Sequence, residues 1–241
     1  MKISVVIPAY NEKGNLEELT ERFLTVFKEN KINDYEFVYV IQGQDGTYES
    51  MKELKEKKGI KNIKPIYYEK AIGVGPAFVV GFKNISDDST LVVTMDGDLN
   101  HQPEELPSFI KKMEETDSDI IIGSRMVKGG KLDKYPSWKG IVSGFTNKVL
   151  PFLTGCRVKD LTSGYRLIKS DVIKKLRGNI TSRNFEFYPE FLIKAKNEGF
   201  SMIETPIHFK YRIRGKSKLN FFTSGSGYIK LLLRLFFRRY K

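Results

Sequence analysis

The sequence predicts an α/β fold in which a mostly parallel central sheet is covered by helices on both faces. Short apolar runs rich in β-branched residues alternate along the chain with segments whose apolar residues recur at helical spacing. The short runs are apolar almost throughout, which is typical of strands buried on both faces. The length of 241 residues is sufficient for one large domain with a sizeable core.

The first strand is predicted over Ile3 to Ile7, a β-branched run that ends at Pro8, and the first helix over Asn15 to Phe27. The same alternation continues with strand Glu36–Ile41, helix Tyr48–Lys57, strand Ile63–Tyr67, helix Gly75–Lys83, strand Leu91–Met95, helix Pro103–Glu115 and strand Asp119–Ile122. Strands and helices that alternate at this spacing indicate parallel neighbours joined by helical crossovers.

The chain shows no internal repeat and no linker rich in Pro, Gly or Ser. We therefore expect one domain over residues 1–215, followed by a basic loop and an amphipathic helix over residues 216–241. Large apolar residues alternate with Lys and Arg over residues 221–241, a pattern typical of a helix that lies in a membrane interface. A basic helix docked on the protein's own core gives the same pattern.

Composition excludes several classes of protein. The single cysteine, Cys156, cannot form an internal disulfide or supply a thiolate metal cluster, so a cytoplasmic setting is expected. The N-terminus lacks the apolar region of a signal peptide, and no stretch reaches the apolar length of a membrane-spanning helix. Intrinsic disorder is disfavoured because 40% of the residues are hydrophobic.

The net charge of +12 is unevenly distributed. Residues 1–120 carry a net charge of about −7, and the remaining residues carry about +19. The basic half would attract a nucleic acid, an anionic membrane surface or a phosphorylated substrate. Nucleic acid is disfavoured because the cations cluster with Ser and Gly rather than with aromatic residues.

Polar loops follow three of the predicted strands and would share the carboxyl edge of the sheet, where ligands bind in open α/β folds. After the fourth strand, Asp96-Gly97-Asp98 places two carboxylates one residue apart. Two hard oxygen donors suit Mg²⁺ or Mn²⁺, with substrate phosphates completing the coordination shell. The alternative is an ordinary Asp/Gly turn.

Three further motifs are typical of phosphate handling: Gly123-Ser124-Arg125, Ser163-Gly164-Tyr165-Arg166 and the basic run from Arg212 to Lys218. The glycine loop at Gly73 and Gly75 matches neither the dinucleotide fingerprint nor the P-loop, and it would instead let a helix begin close to the sheet. His101, beside the acid pair, would either touch substrate or make a hydrogen bond within its loop. His208 is expected to be structural.

Taken together in this order, the motifs resemble those of the family 2 glycosyltransferases, in particular the dolichyl-phosphate mannose synthase and polyprenyl-phosphate hexose transferase group. The similarity covers nearly all of residues 1–220. It comprises Val5 to Glu12, Asp45-Gly-Thr47, Gly73-Val-Gly75, Asp96 to Glu104, Gly123 to Gly130, Asp160 to Arg166 and Arg214 to Lys218.

The resemblance implies a GT-A catalytic domain, a nucleotide-diphosphate sugar donor, a divalent metal and a polyprenyl phosphate acceptor. The nucleotide-sugar site would comprise Pro8, Tyr10, Asn11, Glu12, Asp45, Gly73, Asp96 and Gly97. The metal would be held by Asp96, Asp98 and Asn100, the last standing where the family often has Gln. The acceptor phosphate would be bound by Arg125, Lys139, Ser143 and Ser217, and the catalytic residues would be Asp98, Arg125, Arg214 and Lys218.

The chain departs from the family pattern at the end of the second strand. Members usually carry an Asp-Asp pair there that helps to bind the base and ribose, whereas Val40 and Ile41 stand at those positions here. An apolar pair cannot accept a hydrogen bond from a ribose hydroxyl. Three outcomes are open: a different nucleotide, weaker binding of the usual one, or the use of Gln42 and Gln44 instead.

The expected reaction is transfer of a hexose, mannose or glucose, from GDP-mannose or UDP-glucose to a polyprenyl phosphate at the cytoplasmic face of a membrane, with inversion at the anomeric carbon. A lipid phosphate is already ionised, so no base is needed to activate it. The alternatives are a family 2 enzyme with a saccharide or protein acceptor and a non-catalytic relative. Membrane association would depend on the tail, on a separate membrane subunit or on a further segment.

Overall fold

The computed structural model describes residues 1–57, 59–133, 137–211, 227–228, 230–231 and 233–234. The strands are β1 (Ile3–Tyr10), β2 (Tyr35–Gln42), β3 (Ile63–Tyr68), β4 (Leu91–Thr94), β5 (Ile120–Ser124), β6 (Lys131–Leu132), β7 (Arg166–Lys169), β8 (Met202–Pro206) and β9 (His208–Phe209). The helices are α1 (Asn15–Glu29), α2 (Thr47–Lys57), α3 (Val74–Lys83), α4 (Leu106–Thr116), α5 (Ser137–Thr154), α6 (Ser170–Leu176) and α7 (Phe187–Asn197), with a 3₁₀ turn at Pro103–Glu105.

The described strands form a seven-stranded sheet in the order β3-β2-β1-β4-β7-β5-β8, and β6 pairs with β9 in a separate ribbon. Only β7 is antiparallel to its neighbours, β4 and β5, so the predicted mostly parallel sheet is confirmed. Because β7 runs against β4, its first residue, Arg166, lies opposite Thr94, the last residue of β4. The loops after β4 and before β7 therefore meet at the same edge.

Consecutive residues of β1 contribute to two cores, one on each face of the sheet. Val5 and Ile7 pack in one cluster with aromatic residues of α1 such as Phe23, whereas Val6 packs in the other with Phe78 of α3. Successive side chains of a strand point to opposite faces of the sheet, so a strand that is covered on both faces contributes to both cores. The prediction of helices on both faces is confirmed.

The predicted end of the first strand at Pro8 is wrong, because β1 continues to Tyr10. β4 pairs with β1 only as far as Val6, so Pro8 lies beyond the part of β1 that faces β4 and interrupts no hydrogen bond to it. Pro8 pairs in register with Val40 of β2.

The described part of the C-terminal tail contacts the domain. Leu231 is buried in the core cluster of α3 and α7. The Tyr228 hydroxyl donates to the Phe185 carbonyl at 3.4 Å, and the Arg234 guanidinium donates to Thr181 Oγ1 at 2.8 Å. Docking on the protein's own core thus accounts for these residues. No helix within the described ranges is long and apolar enough to span a membrane.

Candidate functional site

The loops that follow β1 and β2 are joined by hydrogen bonds at the carboxyl edge of the sheet. The Asn11 amide donates to the Gln42 carbonyl at 3.1 Å, and the Glu12 amide donates to Thr47 Oγ1 at 3.1 Å. Asp45 accepts from the Lys13 amide at 3.1 Å and also from the Thr47 amide at 3.1 Å. Asp45 therefore fixes the start of α2 and ties the two loops together.

The Asn11 side chain requires a glycine at position 43. Asn11 adopts a left-handed conformation with φ of 53°, which an asparagine tolerates. A Cβ on Gly43 would lie 2.0 Å from Asn11 Oδ1, and Gly43 itself has φ of +96°. Tyr10 is exposed, whereas Glu12 is buried and accepts from Asn15 Nδ2 at 2.7 Å. The predicted residues Tyr10, Asn11 and Glu12 thus lie together at the end of β1 and the start of the loop that follows it.

Val40 and Ile41 are fully buried within β2, and Gln42 is the polar residue at the end of that strand. The Gln42 side-chain oxygen accepts from the amides of Ile72 at 2.7 Å and Gly73 at 3.2 Å. Gln42 therefore holds the glycine loop against the sheet edge. Gln44 lies further out, where its amide donates to Glu69 Oε1 at 2.7 Å.

The glycine loop also packs against a segment that the sequence analysis did not single out. The Gly75 amide donates to the Arg183 carbonyl at 3.1 Å. A Cβ on Gly75 would lie 1.9 Å from the Ser182 carbonyl oxygen, and one on Gly73 would lie 2.4 Å from the Arg183 carbonyl oxygen. Both glycines are thus required by backbone contact, and the described tail residues dock on this same segment, residues 181–186.

The two carboxylates of the acid pair are half-buried at the end of β4, as predicted. Asp96 accepts a hydrogen bond from the Tyr188 hydroxyl of α7. Asp98 accepts from the Asn100 amide at 3.2 Å and from Asn100 Nδ2 at 3.0 Å. Gly97, between them, is closely packed, because a Cβ would lie 2.9 Å from Leu16 Cδ2.

The donor set of this loop fits a divalent metal. The Asn100 side-chain oxygen is buried and has no hydrogen-bond donor within the described part of the chain, and a cation would satisfy such an acceptor. Two carboxylates and an amide oxygen are the hard donors that Mg²⁺ and Mn²⁺ prefer. Among the described residues, no three or more His, Cys, Asp or Glu side chains are arranged so that they could hold a metal ion, so other ligands, such as a bound substrate, would have to complete the shell.

His101 is buried against the aromatic rings of Phe209, at 4.8 Å between centroids, and Tyr165, at 5.6 Å. Its Nε2 lies 3.9 Å from Asp96 Oδ2. Burial, together with the positive charge of Arg125, lowers the pKa of His101 to about 3. His101 is therefore a neutral packing residue behind the acid pair. His208 lies elsewhere, with its Nε2 2.8 Å from Asp133 Oδ1.

Arg125 forms a two-pronged ion pair with Asp160. Its Nε lies 2.8 Å from Asp160 Oδ2 and its Nη2 lies 2.7 Å from Oδ1, and Nη2 also donates to Thr162 at 2.7 Å. The Asp160 side chain is fully buried. Burial raises the pKa of Asp160, but the charge and hydrogen bonds of Arg125 outweigh it, so the net pKa is lowered. This role of Asp160 was not predicted from the sequence.

Arg166 does not reach the site, and the expectation that it handles phosphate is wrong. Its guanidinium is buried, donates to the carbonyls of Tyr188 at 2.8 Å and Leu161 at 3.3 Å, and lies over the rings of Tyr188 and Phe191. The reason is that Arg166 begins β7, an interior strand. Burial lowers its pKa to about 10, which leaves the group charged.

Several predicted residues lie where no side chain is described. Lys139 and Ser143 belong to α5, but their side chains are outside the described residues. Arg214, Ser217 and Lys218 lie outside the described residues altogether. Their roles remain predictions.

The mostly parallel seven-stranded sheet, with the acid pair at its carboxyl edge, fits the expected α/β domain of the GT-A type. Residues 4–177 match the sequence model of Glycosyl transferase family 2. The chain belongs to this family.

Two curated relatives are similar over most of the chain. The dolichol-phosphate mannosyltransferase of Pyrococcus furiosus is 37% identical over 91% of this chain and 59% of its own length. The polyprenol monophosphomannose synthase of Mycolicibacterium smegmatis is 28% identical over 90% of this chain and 80% of its own. The chain thus spans about three-fifths of the length of the archaeal relative.

Solved structures share the fold. Glucosyl-3-phosphoglycerate synthase of Mycobacterium tuberculosis, solved with Mn²⁺, UDP and glucosyl-3-phosphoglycerate, aligns with a TM-score of 0.64 at 16% identity, over 99% of this chain and 79% of its own. A mannosyltransferase of Pyrobaculum calidifontis, solved with GDP-Man and Mn²⁺, aligns with a TM-score of 0.59 at 15% identity, over 99% of this chain and 64% of its own. At these identities the likeness establishes the GT-A fold.

Proposed function

We propose that the chain transfers a hexose from a nucleotide-diphosphate sugar to a polyprenyl phosphate, with GDP-mannose as the first donor to test and UDP-glucose as the second. The observation that carries the proposal is the acid pair with the buried, unsatisfied Asn100 oxygen at the end of β4. The mannosyltransferase relatives support the choice of donor sugar and acceptor. The proposed site of action is the cytoplasmic face of a membrane. The chain would be attached there by its C-terminal tail, by a separate membrane subunit or by a further segment.

Each part of the site has a proposed task. The donor would lie between the end of β1 with the loop that follows it, the loop before α2, and the glycine loop. The residues concerned are Pro8, Tyr10, Asn11, Glu12, Asp45 and Gly73, with Asp96 and Gly97 next to the diphosphate. Asp96, Asp98 and Asn100 would hold Mg²⁺ or Mn²⁺, which supplies positive charge to the departing diphosphate. Arg125 would address the acceptor phosphate with Lys139, Ser143 and Ser217, while Arg214 and Lys218 would close over the two phosphate groups.

The reaction needs alignment more than proton transfer. An oxygen of the acceptor phosphate forms the new bond to the anomeric carbon as the bond from that carbon to the donor diphosphate breaks. Because the acceptor oxygen is already ionised, no side chain has to remove a proton from it. Attack from the side opposite the leaving group would invert the anomeric centre.

The test is a transfer assay with the purified chain, radiolabelled GDP-mannose or UDP-glucose, a polyprenyl phosphate and Mn²⁺ or Mg²⁺. Label should enter the lipid fraction, and Asp98→Asn should abolish the transfer. Asp87→Asn, an exposed carboxylate in the loop between α3 and β4, is the matched control and should remain active.

A thermal-shift series with GDP, UDP and the two nucleotide sugars, each with and without Mn²⁺, tests donor binding separately. A metal-dependent shift with one nucleotide would identify the donor despite Val40 and Ile41. If no donor shows binding or transfer, the chain is better explained as a non-catalytic relative. If the sugar is transferred to a soluble saccharide, that saccharide takes the place of the lipid as the proposed acceptor.

A further inference from the structure

A segment between α6 and α7, residues 181–186, contacts both the glycine loop and the described part of the C-terminal tail. The Gly75 amide of the glycine loop donates to the Arg183 carbonyl of this segment at 3.1 Å. The Tyr228 hydroxyl of the tail donates to the Phe185 carbonyl of the same segment at 3.4 Å. The tail and the candidate donor site therefore rest on one short stretch of backbone.

Two buried carboxylates hold this segment in place. Glu190 of α7 accepts from the amides of Thr181 at 3.0 Å and Ser182 at 2.7 Å, and Glu186 accepts from the next two amides, each at 3.1 Å. Burial raises the pKa of Glu190, but the hydrogen bond from Ser182 and the charge of Lys194 outweigh it, so the net pKa is lowered. The first four residues of the segment are thus fixed by ionised or hydrogen-bonded acids.

The tail adds an apolar and a polar contact to the same segment. Leu231 is buried in the core cluster against which Phe185 packs. The Arg234 guanidinium donates to Thr181 Oγ1 at 2.8 Å, and this hydroxyl in turn donates to Glu190 Oε1 at 2.8 Å. Arg234 therefore begins a chain of hydrogen bonds that reaches the carboxylate holding the segment.

Backbone atoms of the tail and of the glycine loop approach the segment closely. A Cβ added to Gly227 of the tail would overlap the Glu186 carboxylate, and a Cβ added to Gly75 would overlap the Ser182 carbonyl oxygen. Close-packed groups transmit a displacement to their neighbours. A movement of the tail would therefore reach the glycine loop through this segment.

Two supports fix the glycine loop. The Gln42 side-chain oxygen accepts from the amides of Ile72 at 2.7 Å and Gly73 at 3.2 Å, just before α3. The Arg183 carbonyl accepts from the Gly75 amide, in the first turn of α3. The first support belongs to the central sheet, whereas the second belongs to the segment that the tail contacts. Loss of the second support would lower the fraction of molecules whose glycine loop is in this conformation.

We propose that Leu231 and Arg234 are positioning residues for donor binding. By docking on segment 181–186, they hold the glycine loop in the conformation that would receive the nucleotide-diphosphate sugar. The apparent affinity for the donor falls in proportion to the fraction of molecules in the binding conformation. The role in donor binding rests on the proposed function, but the support of the glycine loop does not.

Amide hydrogen exchange followed by NMR tests the support of the glycine loop without a ligand. Leu231→Ala should speed exchange of the Gly75 amide by about tenfold relative to the amides of β1 in the same sample, because local opening of the segment removes its acceptor. Leu233→Ala is the matched control, since Leu233 lies two residues further along the tail and is 52% exposed, and it should leave the ratio unchanged. An unchanged ratio in Leu231→Ala would overturn the proposal.

Titration calorimetry with GDP and with UDP, each with Mn²⁺, tests the role in donor binding. Leu231→Ala should weaken binding of the nucleotide that the unmodified chain binds by about tenfold. Leu150→Ala removes the same side chain from the same core cluster, but on α5, and should leave the affinity unchanged. Equal weakening in both variants would count against the proposal, because lowered stability would then explain it. If the unmodified chain binds neither nucleotide, the proposed function fails, and the exchange experiment still decides the support of the loop.

A substitution on the surface of the tail keeps the test independent of core packing. Arg234→Ala removes the donor to Thr181 and should weaken nucleotide binding severalfold, whereas Arg234→Lys keeps a charged donor and should restore most of the affinity. Lys230→Ala removes an exposed cation from the same tail and should bind as the unmodified chain does. If Arg234→Ala and Lys230→Ala weaken binding equally, the effect comes from net charge and the proposal is wrong.

Discussion

Tyr188 of α7 donates a hydrogen bond to Asp96, a residue 92 positions earlier at the end of β4. The Tyr188 ring is buried between aromatic neighbours and the Arg166 guanidinium. Burial raises the pKa of Tyr188 well above its ordinary value, so the hydroxyl keeps its proton and remains a donor to the carboxylate. The orientation of the first metal-binding candidate is thus set by a helix outside the motif.

Tyr188→Phe removes this hydrogen bond and keeps the ring. We expect Mn²⁺ affinity, measured by titration in the presence of saturating nucleotide, to fall by about 10- to 100-fold, as is usual when a partner that orients a metal ligand is lost. Tyr67→Phe should leave the affinity unchanged. An affinity equal to that of the unmodified chain would show that Asp96 is oriented without Tyr188.

Asp160→Ala leaves the Arg125 guanidinium buried without its carboxylate. The free energy of unfolding, measured in urea, should fall by about 3–5 kcal/mol, because an uncompensated buried charge is costly. Replacing both residues together, with Arg125→Met and Asp160→Leu, should recover a large part of that loss. If Asp160→Ala lowers the free energy of unfolding by less than about 1 kcal/mol, the Arg125–Asp160 pair contributes no more than an ion pair on the surface.

Gly75→Ala places a Cβ 1.9 Å from the Ser182 carbonyl oxygen and must displace the segment 181–186. We expect a loss of at least about 2 kcal/mol in the free energy of unfolding, as for other steric changes in packed positions. Gly178→Ala, where no atom lies within 4 Å of the added Cβ, is the matched control. If the two variants are equally stable, the glycine loop is not pressed against this segment in solution.

The ionisation of the buried Glu36 carboxyl is expected to make the stability of the protein depend on pH. Burial alone raises the pKa of Glu36, but hydrogen bonds from Lys64, Ser4 and Ser86 outweigh it and lower the pKa to about 2 from an ordinary value of 4.5. A lowered folded-state pKa stabilises the protein above the unfolded-state value, and this contribution is lost as the pH falls from about 4.5 towards 2. It amounts to about 3 kcal/mol.

Glu36→Gln should therefore reduce the free energy of unfolding at pH 7, and the difference from the unmodified chain should shrink between pH 4.5 and 2. This difference in the free energy of unfolding is measured by chemical denaturation at a series of pH values. Glu114→Gln, at an exposed position on α4, should show no such trend. A constant difference at all pH values would mean that the Glu36 carboxylate is not held in its ionised form.

The first half of the fold could be predicted from the sequence because its signals are local. Each strand from β1 to β5 is an apolar run, and each intervening helix has its own apolar spacing, so the alternation shows before any long-range contact is known. The same reasoning predicted that Asp96 and Asp98 lie at the carboxyl edge of the sheet.

The remaining features depend on contacts between distant residues. β7 has the short sequence Arg-Leu-Ile-Lys and is placed by pairing with β4 and β5, not by a pattern of its own. The pairs Arg125–Asp160 and Tyr188–Asp96 join residues 35 and 92 positions apart. The prediction for Arg166 was wrong because a charged residue beside Ser and Gly resembles a surface site. Only the fold shows that its Nη2 donates to buried backbone carbonyls.

The insertion of β7 between β4 and β5 has a consequence for biosynthesis. Strands β1 to β4 are complete by Thr94, but the strand that covers the edge of β4 begins only at Arg166, about 70 residues later. At about 5–20 residues per second, the ribosome needs roughly 4 to 14 s to deliver it. During that interval the nascent chain presents an unpaired, apolar strand edge, the kind of template on which chains aggregate. The rate of elongation between codons 95 and 166 should therefore influence how much of this protein reaches its native state.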